Sequence, residues 1–381
     1  MSDWKIPLYK VLSDAEDYRL VKNVIKRSMH WTLGPEISQF EKSFAEYVGT
    51  KYCVTFNSGT SALHASLIAS NAQRTEVILP SFTFIATANS SLMANALPKF
   101  VDIEEDSYGI NPKLLDSTIT KKTKIIMPVH YAGLSCKISE IKKIAHDRNL
   151  LLLEDAAESL GATYNKKKVG SFGDLAVFSF AGNKILTTGE GGAVVTSSKK
   201  IYDKLLLIRS HGRHEKFNYF SSITKPEYVE LGYNWRMSSI TAALGISQLN
   251  KIEKLIKMRR NNAQFLSKKL KRHNQIILPL EPTNYRHVFQ FYSIRMPNSY
   301  VRNNLMKFLA SKGIMTKVFF EPIHLTKFYK KLGIGNRKKL NVTEIISNQI
   351  LSLPMYPTLI RDELNFICDS ISEFLETKKS S

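Results

Sequence analysis

Short apolar runs alternate with amphipathic stretches from residue 50 to about residue 200. Seven of these runs are typical of buried strands, and they lie at 52–56, 76–80, 98–103, 124–130, 150–154, 175–180 and 192–197. Helix-like segments separate several of them, at 60–70, 83–95 and 138–148. This alternation predicts the α/β class, in which helices cover a mainly parallel sheet.

The pattern changes beyond residue 200. Apolar positions recur at helical spacing across 247–273, which predicts one long amphipathic helix with its basic residues on the solvated face. Shorter strand-like and helix-like runs follow at 289–296, 301–312, 314–320 and 361–376. We therefore predict two units: residues 1–250, which hold a large α/β domain, and residues 251–381, which hold a connecting helix and a small α+β domain.

The formal net charge of +21 is high for a globular chain of 381 residues. Such an excess is compatible with nucleic acid, an acidic surface or small anionic substrates. The lysines are scattered and no recognition motif accompanies them, so a basic nucleic-acid-binding protein is a remote alternative.

The three cysteines are too few and too far apart for a disulfide framework or a zinc site. We expect a reducing, cytoplasmic environment and no metal. The first residues lack the pattern of a signal peptide, and no apolar stretch approaches the ~20 residues of a membrane span, so none is expected.

Polar or glycine-bearing loops follow five of the predicted strands. In parallel α/β sheets, ligands bind outside the carboxyl ends of the strands, where such loops converge. The five loops span 57–61, 80–84, 130–133, 155–158 and 180–184. The sequence therefore predicts a ligand site at this edge of the sheet.

The first of these loops opens a helix and is rich in small polar residues. Ser58, Gly59, Thr60 and Ser61 lie at the predicted helix N-terminus, where free N–H groups and the helix dipole favour a phosphate. The stretch lacks the GK[ST] of a P-loop and is not GxGxxG. Simple helix capping is the alternative.

Side chains that could carry chemistry end two other strands. Glu154 and Asp155 could provide a metal ligand, a general base, a partner for a cationic ring nitrogen or a helix cap, although nothing nearby completes a metal set. Ser179 is a second possible phosphate donor or an ordinary strand hydroxyl.

Lys184 lies between a strand end and the glycine-rich stretch TTGEGG. An amine that forms an imine must be neutral, and lowering the ordinary lysine pKa of about 10.4 by some three units requires roughly 4 kcal/mol of desolvation and like-charge influence. We expect the glycines to leave room for a cofactor. A phosphate cradle, an acid for a ring nitrogen, an aromatic face and this lysine together predict pyridoxal 5′-phosphate (PLP).

Ordered motifs along nearly the whole chain resemble the DegT/DnrJ/EryC1/StrS family of PLP-dependent sugar aminotransferases, which have fold type I. The motifs are LGPEISQFEKSFAEYVG (33–49), NSGTSALH (57–64), LPSFTFIATAN (79–89), EDAAESLGA (154–162), GSFGDLAVFSFAGNKILTTGEGGAVVT (170–196), LGYNWRMSSITAALGISQL (231–249), FFEPIH (319–324) and LSLPMYP (351–357).

The resemblance implies a role for four residues around the cofactor ring. Lys184 holds PLP covalently and later shuttles a proton, and Asp155 pairs with the protonated ring nitrogen so that the ring acts as an electron sink. Phe84 stacks on the ring. Glu158 stands near the ring hydroxyl, at a position where many members have glutamine.

The resemblance also implies the phosphate and substrate contacts. The helix N-terminus at Ser58 and Gly59, with the hydroxyls of Thr60, Ser61 and Ser179, holds the phosphate. Asn234 reaches the phosphate in the neighbouring subunit, which implies a homodimer with shared active sites.

His324 lines the pocket for a nucleotide-linked sugar. Trp31, Arg236 and Phe320 are further pocket candidates; the alternatives are core packing for Trp31 and Phe320, and a surface salt bridge for Arg236.

Lys184 also separates two reactions of the family. Some relatives have histidine at this position and resemble sugar 3-dehydratases, so the lysine favours an aminotransferase, with L-glutamate as the implied donor and 2-oxoglutarate as its product. FSFAGNKILTTGEGG and FFEPIH are most similar to members that aminate C4 of GDP-4-keto-6-deoxymannose. UDP- and dTDP-linked sugars, and amination at C3, stay open.

Overall fold

Seven strands form the sheet that carries the site within the residues that the structure describes; from one edge to the other they begin at residues 52, 192, 175, 151, 123, 76 and 97. This computed structural model describes residues 4–214, 223, 225–334 and 339–377. The strands are β1 Tyr52–Phe56, β2 Glu76–Pro80, β3 Leu97–Val101, β4 Thr123–Ile126, β5 Leu151–Asp155, β6 Thr163–Tyr164, β7 Lys167–Lys168, β8 Leu175–Ser179, β9 Gly192–Thr196, β10 Tyr285–Arg286, β11 Tyr292–Arg295 and β12 Ile350–Leu353.

The helices cover both faces of this sheet and build the carboxyl-terminal part of the chain. They are α1 Ala15–Lys26, α2 Pro35–Val48, α3 Gly59–Ala69, α4 Ile85–Met93, α5 Leu115–Thr118, α6 Ile138–Asp147, α7 Lys199–Arg209, α8 Ser239–Asn250, α9 Ile252–Leu270, α10 Ser299–Ser311, α11 Lys327–Lys331, α12 Asn341–Gln349 and α13 Arg361–Thr377, with 3-10 turns at 112–114, 131–133 and 323–325.

The predicted α/β class is confirmed. Strands β3, β2, β4, β5 and β8 pair in parallel, and only β9, between β8 and β1, runs against the others in the described sheet. All seven predicted runs form this sheet. Since the strands other than β9 share one direction, their carboxyl ends lie at one edge.

The strands are apolar along their whole length because helices bury both faces of the sheet. In β8, Val177 packs in the cluster under α3, whereas its neighbour Phe178 faces the cluster formed with α2 and α8. Phe180, just beyond β8, packs edge-on against Phe44 with ring centroids 5.2 Å apart. This packing holds the end of β8 firmly beneath the site.

The prediction of one long helix across 247–273 is wrong. Helix α8 ends at Asn250 and α9 begins at Ile252, with Lys251 between them at φ −108° and ψ 9°. No proline or glycine marks this break; the Lys251 ammonium instead bonds Asp14 and Asp17 near α1, at 2.8 and 2.6 Å. The division of the chain at residue 250 stays a prediction.

The carboxyl-terminal part is built on the antiparallel pair β11 and β12, against which α10 and α13 pack. The predicted strand at 314–320 is reduced to two isolated bridges, Ile314 with Ile6 and Lys317 with Ser352. In the described ranges, no helix combines the length and the apolar character that a bilayer crossing requires. The three cysteines are buried thiols.

Candidate active site

Lys184 lies in the connection between the antiparallel strands β8 and β9. The Phe180 N–H donates to the Gly191 carbonyl at 2.8 Å, and the Thr188 N–H donates back to the Phe180 carbonyl at 3.0 Å, which closes the connection into a compact loop. The Lys184 side chain is 14% exposed, and its Nζ lies 3.8 Å from Glu158 Oε1. The lysine is therefore mostly buried, and it faces an acid.

Glu158 follows β5 and joins the lysine to a third loop. Its Oε2 accepts the Ala132 N–H at 3.0 Å. Burial raises the pKa of Glu158 above its ordinary value, and the nearby Lys184 ammonium opposes that rise. Asp155, Glu158, Ala132 and Lys184 thus come from three loops that the sequence predicted would converge.

Asp155 is held in place by hydroxyls that the sequence analysis did not select. Thr87 Oγ1 donates to Asp155 Oδ2 at 2.8 Å and lies 2.9 Å from Thr83 Oγ1, while the Ala157 N–H donates to the other carboxylate oxygen at 3.2 Å. Burial raises the pKa of Asp155, and these hydrogen bonds oppose the rise. The sequence signal for these two hydroxyls was their four-residue spacing around the start of a helix, a spacing that brings two side chains close together.

The structure separates the two neighbouring carboxylates and gives Glu154 a role that the sequence left open. Glu154 points to the opposite face of β5, where Oε1 accepts the N–H groups of Phe172 and Gly173 at 2.7 and 2.6 Å. Its Oε2 accepts the Gly170 N–H at 2.8 Å and lies 3.1 Å from His130 Nε2. Glu154 therefore anchors a loop, whereas Asp155 faces the site.

The N-terminus of α3 forms a capping box. Ser58 Oγ accepts the Ser61 N–H at 3.1 Å, and Ser61 Oγ accepts the Ser58 N–H at 3.2 Å and donates to Asn57 Oδ1 at 2.7 Å. The Ser61 hydroxyl is therefore engaged within the chain. Among the described residues, the N–H groups of Gly59 and Thr60 are the ones this cap leaves for an anion, and the Thr60 side chain is exposed.

Two glycines bring this helix N-terminus against the sheet. A Cβ on Gly59 would lie 2.9 Å from Ser179 Cβ, and a Cβ on Gly192 would lie 2.6 Å from the Ser58 carbonyl oxygen and 2.7 Å from the Gly59 nitrogen. The expectation that glycines after Lys184 leave room for a cofactor therefore needs correction at Gly192. The backbone of the α3 N-terminus fills the space beside it.

We expect Gly192→Ala to displace the start of α3, because the new methyl group meets backbone atoms that cannot rotate away. The expected loss of unfolding free energy is about 1–3 kcal/mol, with a weaker affinity for PLP phosphate. Thermal unfolding and cofactor titration measure both. Gly182→Ala is the matched control, since the nearest atom to its Cβ lies 3.9 Å away; equal behaviour of the two variants would contradict the argument.

Phe84, Phe320 and Tyr131 form an aromatic cluster. Phe84 ends the β2 loop with 57% of its surface exposed, and its ring centroid lies 6.0 Å from that of Phe320. Phe320 in turn lies edge-on to the buried Tyr131 at 6.2 Å. An exposed apolar ring in this place offers a flat face that a planar ligand can cover.

The other sequence candidates lie around this centre. His324 is buried: its Nδ1 lies 2.7 Å from Ser81 Oγ, and its Nε2 lies 3.5 Å from Glu344 Oε1. Burial lowers the pKa of His324, and Glu344 opposes that effect. In this chain it supports the loop that carries Phe84, and its role toward a sugar stays a prediction.

Asn234, Arg236 and Trp31 lie on the side of α3 and α8. Asn234 is exposed next to Trp235, whose carbonyl accepts the Asn57 N–H at 2.8 Å. Arg236 donates to Ser210 Oγ at 3.1 Å. Trp31 is 46% exposed, and its carbonyl accepts the first N–H of α8, that of Ser239, at 2.6 Å. The roles assigned to these three residues stay predictions.

The seven-stranded and mainly parallel sheet carries three features at one edge: a lysine in the β8–β9 loop, a buried aspartate at the end of β5 and the N-terminus of α3. These are the features of the fold type I transferases that use PLP. The family model described as the DegT/DnrJ/EryC1/StrS aminotransferase family matches residues 12–372. The chain belongs to this family and is a PLP-dependent sugar aminotransferase, as its motifs predicted.

Relatives that are named for different nucleotide-linked sugars have nearly the same sequence identity to this chain. The GDP-perosamine synthase of Caulobacter vibrioides is 36% identical over 348 residues, covering 90% of this chain and 91% of the relative. The UDP-4-amino-4,6-dideoxy-N-acetyl-β-L-altrosamine transaminase of Campylobacter jejuni is 35% identical over 356 residues, with 91% and 92% covered.

The solved structure of Helicobacter pylori PseC, an aminotransferase involved in the biosynthesis of pseudoaminic acid, superposes with a TM-score of 0.90. It is 31% identical, and the match covers 98% of this chain and 99% of that one. The predicted fold type is therefore confirmed over almost the whole chain.

Proposed function

We propose that the chain transfers an amino group from L-glutamate to the C4 carbonyl of a nucleotide-linked 4-keto-6-deoxysugar. The observation that carries the proposal is the Lys184 Nζ in a mostly buried pocket, 3.8 Å from Glu158 and in the electrostatic range of Asp155. A buried ion pair is by itself weak evidence for stability. The amine has a clear use in moving a proton.

The residues at this edge of the sheet fit PLP. The free N–H groups at Gly59 and Thr60 suit its phosphate, with Ser179 beside them. Asp155 is buried and carries a raised pKa, so a cationic ring nitrogen would relieve an unfavourable buried charge. Phe84 offers the exposed aromatic face. When bound, PLP supplies an electron sink for the carbon that carries the amine.

The chain's own residues then hold and move protons. Lys184 would hold the cofactor through its Nζ and, when that amine is free, would carry a proton on it to and from the reacting carbon. Glu158 Oε1 is placed to stabilise the ammonium that Lys184 forms when it takes up that proton. Asp155 keeps the ring nitrogen protonated, and Thr87 keeps the Asp155 carboxylate in a fixed orientation.

For the substrate, we propose GDP-4-keto-6-deoxymannose, which gives GDP-perosamine for O-antigen or a related surface polysaccharide. The similarity to the Caulobacter vibrioides GDP-perosamine synthase supports this choice. The Campylobacter jejuni relative, which is named for a UDP-linked sugar, keeps UDP-linked sugars as the alternative. We also propose a homodimer in which Asn234 completes the phosphate site of the partner subunit.

The test is a panel of GDP-, UDP- and dTDP-linked 4-keto-6-deoxysugars, each supplied with L-glutamate. We expect a glutamate-dependent 4-amino product from the GDP sugar, with kcat/KM at least about 10-fold above the other sugars. Mass spectrometry and NMR identify the product and the aminated carbon. A deoxygenated keto product without amine would instead support the 3-dehydratase, and turnover of a UDP sugar alone would overturn the substrate proposal.

A further inference from the structure

Gln290, which is distant from Lys184 in the sequence, hydrogen-bonds to the loop that carries this lysine between β8 and β9. Its Oε1 accepts the Ile185 N–H at 3.1 Å, and its Nε2 donates to the Asn183 carbonyl at 2.7 Å. These two backbone groups belong to the residues directly before and after Lys184. One side-chain amide therefore brackets the lysine on both sides, although 106 positions separate Gln290 from Lys184 in the sequence.

Gln290 is itself fixed by burial and by the backbone around it. Only 2% of the residue is exposed. Arg259, a buried residue of α9, donates through Nη1 to the carbonyls of Phe289 and Gln290 at 3.2 and 3.3 Å and to the Met355 carbonyl at 2.9 Å. The side chain of Gln290 thus extends from a rigid support toward the lysine loop.

The backbone just before Gln290 has an unusual conformation. Phe289 has φ +51°, in the left-handed region that side chains disfavour. Its N–H donates to His287 Nδ1 at 2.9 Å, and its ring stacks on the His287 ring at 3.9 Å. Strained backbone of this kind persists where the surroundings fix it, and it is concentrated at functional sites.

The segment 287–291 also contacts the loop that binds Glu158, the acid opposite the lysine. The Val288 N–H donates to the Gly133 carbonyl at 2.9 Å, and the Phe291 N–H donates to the Ala132 carbonyl at 3.3 Å. The N–H of the same Ala132 donates to Glu158 Oε2. The segment therefore contacts the supports of both partners of the Lys184–Glu158 pair.

We propose that Gln290 is a positioning residue that sets where the Lys184 amine stands relative to Glu158 and to the reacting carbon. Two hydrogen bonds to the flanking backbone remove the freedom of the loop to rotate about Asn183 and Ile185. Proton transfer is sensitive to displacements of about 1 Å, so a loop free to move costs turnover even when the lysine is present. The importance of the amine rests on the proposed function, whereas the fixing of the loop does not.

The test is Gln290→Met in the full-length chain, because methionine keeps the length of the side chain and has neither polar group. Without added cofactor, we expect amide hydrogen exchange in the peptide that covers residues 183–188 to accelerate about 5-fold to 100-fold. This range corresponds to the free-energy cost of leaving a buried donor or acceptor without its hydrogen-bond partner. Unchanged exchange in that peptide would overturn the proposal.

A second variant and a matched control distinguish a local effect on the loop from a general loss of stability. Gln290→Glu keeps an acceptor for the Ile185 N–H but sets a carboxylate oxygen against the Asn183 carbonyl, so at neutral pH we expect an acceleration at least as large as with methionine. Asn262→Met removes another buried amide, which donates to the Tyr356 carbonyl at 2.9 Å. An equal acceleration in the 183–188 peptide of Asn262→Met would also overturn the proposal.

Turnover provides the second measurement. With a sugar substrate that the wild-type enzyme aminates, we expect Gln290→Met to lower kcat about 10-fold or more with KM for L-glutamate within about 2-fold of wild type. A change confined to KM would contradict positioning of the amine. If the wild-type chain aminates no sugar, the proposed function fails, while the exchange result still decides whether Gln290 fixes the loop.

Discussion

Lys184→Ala is expected to abolish the visible absorbance band of the lysine-linked cofactor and to lower transaminase turnover by about 1,000-fold or more. Under the proposed function, the substitution removes both the amine that holds the cofactor and the base that moves the proton, and general acid–base catalysis alone contributes about 100-fold to 10,000-fold. Absorbance spectra after loading with PLP and single-turnover assays with L-glutamate measure the two losses separately.

Two variants separate this chemistry from charge and from folding. Lys184→Arg keeps a cation beside Glu158 but cannot form the covalent link, so we expect it to lose the absorbance band as well. Lys168→Ala removes a half-buried lysine outside the site, which donates to the Tyr47 carbonyl at 2.7 Å, and we expect normal spectra and turnover. A wild-type spectrum in Lys184→Ala would refute the assignment of the lysine.

Asp155→Asn is expected to lower turnover by about 100-fold to 1,000-fold, the usual effect of losing one preorganised electrostatic contact. Asparagine matches the shape of aspartate and can still accept from Thr87, but it cannot hold a proton on a ring nitrogen. A shifted absorbance maximum of the bound cofactor is the accompanying spectroscopic result. Full turnover in this variant would show that Asp155 does not face the ring.

Asp155→Asn, which is expected to lower turnover, is also expected to stabilise the cofactor-free protein. The pKa of Asp155 is raised in the folded state, so folding takes up protons in the pH range between the unfolded value, about 3.9, and the folded value. Stability is therefore lost as pH rises through that range. We expect Asp155→Asn to unfold at a higher temperature than wild type at pH 7, with the difference shrinking toward pH 4.

Glu154→Gln is the matched control for this prediction. Glu154 is buried; burial raises its pKa, but His130 and three backbone N–H groups hold it below the ordinary value. Its contribution to stability is therefore present at neutral pH and is lost as pH falls through the folded pKa. We expect this variant to lower the unfolding temperature at pH 7 and to leave the bound cofactor's absorbance maximum in place.

The sequence by itself determined the sheet and the region of the site. Apolar runs specify strands that are buried on both faces, and the polar loops that follow them must meet at one edge because parallel strands share a direction. The ordered motifs along nearly the whole chain indicated the family. Local patterns of a few residues carry all of this information.

The tertiary structure decided how each group is used. The resemblance assigned a role to Asp155 but none to its neighbour Glu154, and the pleat of β5 turns Glu154 toward a loop anchor and Asp155 toward the site. The helical pattern across 247–273 is interrupted at Lys251, whose ammonium bonds Asp14 and Asp17. The bracketing of Lys184 by Gln290 joins residues 106 positions apart, and contacts between segments so distant form only when the chain packs.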